Sequence, residues 1–516
     1  MVAEPFGPTG SSGMDAVVID TNPVPLDALL AVARGAPVEL TDAARERIAA
    51  GRRVVDGVLE SGRAVYGLTT GVGHSRDVRV PDDELVAQQY MIVMTHSGGF
   101  GPHLPTEWAR AAMAVRLIGL TRGGSGASPA VAESLAGLLN AGVHPLLPRT
   151  SSVGAGDLGA MALVAQVAIG AGRAEYRGKV GAGGESLQKA GLAPLALHAK
   201  DGLALVSANG VSVGSGAFVA ERAGLLADVA ETVAALSMEA TRGNPSIALP
   251  VVAEAKPFPG IAESCRQLRT ALDGSYLLET GTPASVQDPL SFRVVPQVHG
   301  ALRDTTAFVL GTVETELNAQ ADNPLVSPSD GTLVSNGNFH PVLLAIAFDA
   351  LRVAIAHVGQ LSDRRLGHLW QAFFDALTGG DGAARPSFDG PPPELPGMHL
   401  RYAGAAACAE LRQLAGPASL DIGVLDQGVE DHSTGAPLSV RKADEALDLL
   451  ADVLAIELLL ATDVLGMQPR TPVLGRGTSS LYGSTRAAVA GLADRSPEAV
   501  HRSVRATLEP SRSRRA

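Results

Sequence analysis

The sequence predicts a mainly α-helical protein with a central bundle of long helices, and three observations support this. Stretches at 301–323, 341–369 and 442–466 repeat apolar residues every three or four positions, over lengths beyond an ordinary helix. Strand-like alternation is confined to short pieces such as AEYRGKV at 174–180. The segments between helical stretches are glycine-rich and polar, the composition of loops carried over a rigid scaffold.

Taken in chain order, residues 1–20 read as a flexible leader, with Met14 an alternative start. Residues 21–215 read as a loop-rich N-terminal domain expected to hold an active site, and 216–500 as the long-helix bundle. The Gly- and Pro-rich stretch 378–397 predicts a disordered insertion, and 501–516 a solvated basic tail. A chain of 516 residues that is 46% hydrophobic has ample material for a large core. The formal net charge of −12, without a basic stretch in the interior, argues against nucleic acid as a partner. Cys265 and Cys408 lie far apart, without metal-ligand spacing, which predicts no metal site and a reducing, cytoplasmic setting. No charged segment followed by an apolar run opens the chain, so no signal peptide is expected. The longest apolar run, 450–466, carries Asp452, Glu457 and Asp463, which suits a buried bundle helix and not a membrane span.

The loops themselves form an ordered set. YGLTTGVG (66–73), MTHSGGFG (94–101) and RLIGLTRGGSG (116–126) come first. KDGLALVSANG (200–210), QDPLSFRVVPQVHGA (287–301), ELNAQADNPLV (316–326), NGNFHPV (336–342) and VEDHSTG (429–435) follow. In content and order this set resembles the histidine/phenylalanine ammonia-lyase family, from about residue 15 to 500. The resemblance implies an ammonia-lyase-like, all-α subunit in a homotetramer, with loop-built active sites drawn from several subunits. It also implies removal of ammonia from an aromatic α-amino acid. That family uses an electrophilic methylidene-imidazolone ring made from an internal Ala-Ser-Gly.

Here the matching stretch is Val153-Gly154-Ala155-Gly156-Asp157-Leu158, one residue short and without a serine. Glycine has no β-carbon from which a methylidene could form. Ser151-Ser152-Val153 just upstream would need the hindered amide of a β-branched valine to close a ring. Ala155, Gly156 and Asp157 therefore read as a degenerate prosthetic-group loop, and no cofactor is expected. Two more departures agree. Leu290 stands where the family's QDxYSxR motif has its tyrosine, and Ser207 where a ring-contacting asparagine belongs, with Asn209 two residues on.

The groups that would serve a substrate remain. By resemblance, Tyr66 is the base that removes the β-proton, and Arg293 is the two-pronged clamp for the substrate carboxylate. His96 contacts the substrate side chain and Glu430 faces its amino or imidazole end, while Phe339, Asn318 and Gln287 complete the lining. Taken singly, each has a plain structural reading: a packed tyrosine, a salt-bridged arginine, a helix-capping histidine. Their recovery in order is what favours function. His340, His432 and Asp431 read as ordinary hydrogen-bonding residues.

Three functions fit this pattern. The favoured one is a lyase that eliminates an already activated nitrogen, such as the trimethylammonium of a histidine betaine, without a ring. In this it resembles the ring-less ergothionase branch. The second is a conventional histidine or aromatic ammonia-lyase with a shifted triad. The third is a non-catalytic scaffold relative. The expected ligand is a small amino-acid-like molecule, with no nucleic acid and no membrane involved.

Overall fold

In the computed structural model the described residues are 14–378, 396–420 and 423–509. The long helices are Gly210–Thr241, Val295–Leu317, Val342–Thr378 and Ala436–Gly466. The last three overlap the three periodic stretches: the first begins earlier but stops at Leu317, so 318–323 is not helical, and the other two run beyond the stretch at one end. The strands are short and their sheets have two or three members; AEYRGKV supplies the hairpin Arg173–Tyr176 with Lys179–Ala182.

The chain divides into two units, each gathered from three segments. One comprises 1–219, 310–348 and 417–441, the other 220–309, 349–416 and 442–516. The single cut expected at 215/216 is therefore replaced by a discontinuous partition. Four of its five boundaries fall inside the long helices, which a division by loop composition cannot register.

In the first unit the helix Thr106–Thr121 is buried on every side from Ala109 to Thr121. Its Arg116 makes a two-pronged ion pair with Asp322, Nη2 to Oδ1 at 2.8 Å and Nη1 to Oδ2 at 3.1 Å. Both side chains are buried, so each charge depends on the other. Lys200 is also buried, and burial lowers its ammonium pKa to about 8 against the pull of Asp322.

In the second unit the carboxylate of Glu457 joins three long helices. It accepts from Ser237 Oγ at 2.6 Å, Ser362 Oγ at 2.5 Å and Arg365 Nε at 2.6 Å. Asp201–Thr241 and Val342–Ala376 are long and apolar enough to cross a membrane. The apolar window of the first is wholly buried, as a core helix requires.

Two terminal expectations are corrected. Val17–Ile19 is a strand paired in parallel with Val38–Leu40, so the leader ends before it; residues 1–13 lie outside the described residues. The basic tail is helical up to Leu508, because Val500, Val504 and Leu508 form a buried stripe at helical spacing among the arginines. Most of the expected insertion, residues 379–395, likewise falls outside the described residues.

Candidate active site

The first unit contains a cavity of about 930 Å³. Tyr66, His96, Ala155, Gly156, Ser207, Phe339 and Glu430 all line it, brought together from six separate segments of the chain. Each segment is held by its own bonds. The loop beginning at Tyr66 is tied to the buried Gln88 and Gln89, whose amides donate to Thr70 O at 2.8 Å and Gly67 O at 3.2 Å. Gln89 Oε1 in turn accepts from the Leu203 amide, linking this loop to the 201–206 helix below Ser207.

The phenol oxygen of Tyr66 accepts from Gly73 N–H at 3.1 Å. Burial raises the Tyr66 pKa above the ordinary phenol value, opposed by the Gly73 N–H and reinforced by the carboxylates of Glu430 and Asp426. His96 ends the helix Leu85–His96 and its Nδ1 donates to Ile92 O at 2.8 Å, which leaves Nε2 for a ligand. Burial also raises the Glu430 carboxyl, as does Asp426, while His96 lowers it.

The loop at 153–158 has a fixed shape. Gly156 N–H donates to Phe339 O at 2.9 Å, and Thr434 Oγ1 donates to Gly154 O at 2.7 Å. Ser152 Oγ accepts from Gly154 N–H and donates to Gly156 O, so this hydroxyl is built into the turn. A β-carbon at Gly154 would collide with Thr434 Oγ1, and its φ of +82° is in the left-handed region. Asp157 lies beneath the cavity, not on its wall; its carboxylate accepts from Ser212 N–H and Oγ at 2.7 and 3.0 Å. Ala155, next to Gly156-Asp157-Leu158, has a β-carbon but no hydroxyl to lose. The residues present do not fit the ring-forming tripeptide.

Four expected site residues stand elsewhere. Asn318 is a structural tie: its Oδ1 accepts from Val24 N–H and Arg122, and its Nδ2 donates to Val24 O. Asn209 is buried and lies outside the lining. Gln287 and Arg293 belong to the second unit and line no part of this cavity. Arg293 closes the short helix Leu290–Arg293, and its buried Nε has no hydrogen-bond partner among the described residues.

The structure adds two lining groups that sequence reasoning missed, His74 and Asp426. Among the described residues no lysine or arginine lines the cavity, and its acid–base groups are two carboxylates and two histidines, beside the rings of Tyr66 and Phe339. Such a wall suits a cationic ligand. Among the described residues no cluster of His, Cys, Asp and Glu could hold a metal ion.

A mainly helical scaffold with an acid–base cavity built on loops defines an enzyme-like site, and comparison with known proteins gives its class. The family described as "Aromatic amino acid lyase" matches residues 24–487. Histidine ammonia-lyase from Streptococcus sanguinis (strain SK36) is 36% identical over 468 residues, 90% of each chain. Among solved structures, ergothionase from Treponema denticola, an ergothioneine-degrading enzyme in complex with desmethyl-ergothioneine sulfonic acid, superposes with a TM-score of 0.89. It is 26% identical, covering 97% of this chain and 100% of that one. Histidine ammonia-lyase from Trypanosoma cruzi superposes with a TM-score of 0.83 at 29% identity, covering 96% and 94%. The chain belongs to the aromatic amino acid lyase family, and it is a carbon–nitrogen lyase.

Proposed function

We propose that this lyase eliminates a tertiary amine from an α-quaternised, histidine-like betaine, without a protein-derived ring. The observation that carries this reading is the serine-less loop at 153–158 beside a cavity lined, among the described residues, by two carboxylates and no lysine or arginine. The kinship with ergothionase supports it. Free ammonia-lyase chemistry needs an electrophile because a free amine leaves poorly. A quaternary nitrogen leaves as a neutral amine carrying the C–N electron pair.

In this reading the Tyr66 oxygen, as phenolate, takes the β-proton, the C–H electrons become the Cα=Cβ bond, and the amine departs. Glu430 and the Tyr66 and Phe339 rings hold the cationic end, and His96 Nε2 contacts the imidazole side chain. Arg293 clamps the carboxylate with its planar fork. Arg293 is absent from the cavity lining of the single chain, and in this reading another copy in a homotetramer supplies it. An exposed apolar stripe on the helix Val342–Thr378, formed by Val342, Ile346 and Val353, supports association with further copies. The two buried free cysteines fit a reducing cytoplasm.

The sequence kinship to histidine ammonia-lyases favours a second reading, free histidine as substrate. Parallel rates on histidine and its Nα-trimethyl betaine decide between them. The betaine is expected to turn over at least ~10²-fold faster, the range leaving-group activation should supply where no electrophile assists. Equal rates, or histidine faster, would overturn the proposal.

A further inference from the structure

His74 and Asp426, which the sequence motifs did not single out, both line the cavity and bond to each other. His74 Nδ1 donates to Asp426 Oδ1 at 2.9 Å, joining the loop that carries Tyr66 to the loop that carries Glu430. The two loops also meet at Gly73, where a β-carbon would collide with Asp426 Oδ2. Gly73 is the residue whose N–H bonds the Tyr66 oxygen. The carboxylate is thus packed against the backbone that orients the phenol.

The backbone at this point is costly. Asp426 and Gln427 both have left-handed φ values, +44° and +55°, without being glycine. Such conformations are disfavoured for residues other than glycine and persist where surrounding structure holds them. The hydrogen bond of Leu425 N–H to Glu430 O at 2.8 Å closes the turn and fixes Glu430 relative to Asp426.

We propose that Asp426, through His74 and Gly73, is a positioning residue for the elimination: it sets the Tyr66 oxygen and the Glu430 carboxylate in one geometry. The inference rests on the elimination proposed for this cavity. Removing the Asp426 charge has a defined electrostatic consequence. The charged and titratable groups around it are Tyr66, His74 and Arg76 on one loop, Glu430 on its own loop, and His96 at the helix end. Its negative charge holds both Tyr66 and Glu430 protonated to higher pH.

The test combines Asp426→Asn, which keeps shape and tolerates left-handed φ, with His74→Gln and the double variant. On whichever substrate the wild-type enzyme eliminates, each single variant is expected to lose about 10–100-fold in kcat, and KM to change less. The double variant is expected to be little worse than either single one. Ultraviolet titration of the Tyr66 phenol, read as the difference from a matched Tyr66→Phe protein, needs no substrate. In Asp426→Asn it is expected to ionise at a lower pH than in the wild type, because one of the carboxylates that favour the neutral phenol is gone. An unchanged phenol titration together with additive kinetic effects would overturn the proposal. Should Asp426→Asn fail to fold, His74→Gln alone reads the pair through kcat. Absence of betaine turnover in the wild type would remove the substrate assignment, while the phenol titration still decides the role of Asp426.

Discussion

Replacing Tyr66 by phenylalanine is expected to lower turnover by about 10²–10⁴-fold, the range for loss of a general base. The substitution removes one oxygen, and the structural cost is the acceptor for Gly73 N–H. One lost, partly solvated hydrogen bond is worth about 1 kcal/mol, so the urea midpoint should move only slightly. The two readouts therefore separate chemistry from packing. A variant that keeps its turnover but melts far below the wild type would make Tyr66 a packing residue and would remove the base from the account. The same pocket explains why the phenol needs assistance. Burial and two nearby carboxylates favour its neutral form, and the Gly73 N–H is the main opposing contact.

The second large effect concerns stability. Asp322→Asn leaves the buried Arg116 guanidinium without its carboxylate, and breaking a buried pair from one side costs about 3–5 kcal/mol. The damage should also reach the cavity, because Asp322 precedes Asn323, which lines it. Asn336 holds both residues, donating from Nδ2 to Asp322 O and from its backbone N–H to Asn323 Oδ1. Equilibrium unfolding in urea measures the loss. A variant as stable as wild type would mean that Arg116 finds another counter-charge and that the pair does not support this wall.

These elements show what the sequence could disclose. The long helices were legible because their apolar repeat runs unbroken for many turns, as in 442–466. The terminal helix Pro497–Leu508 was not, because three buried apolar residues are spaced among charges that read as a solvated tail. Tyr66, His96, Phe339 and Glu430 were legible as a set through the order of their motifs, and the fold brings them to one cavity. Asn318 had the same kind of signal, yet its amide is consumed by Val24 and Arg122, contacts a motif does not reveal. His74 and Asp426 are 352 residues apart in sequence, and no local pattern announces that they meet. Arg293 carried a motif signal as well, but it belongs to the second unit and lines no part of this cavity.

The claim on which the account turns is that this lyase works without a methylidene-imidazolone. Ring formation from three residues expels two water molecules, so the intact mass of the purified protein tests the claim directly. The mass is expected to equal that of the encoded chain, allowing for removal of the initiator methionine, with unmodified peptides across residues 150–158. A deficit of two waters mapped to that segment would contradict the account and make the protein a conventional, ring-dependent ammonia-lyase.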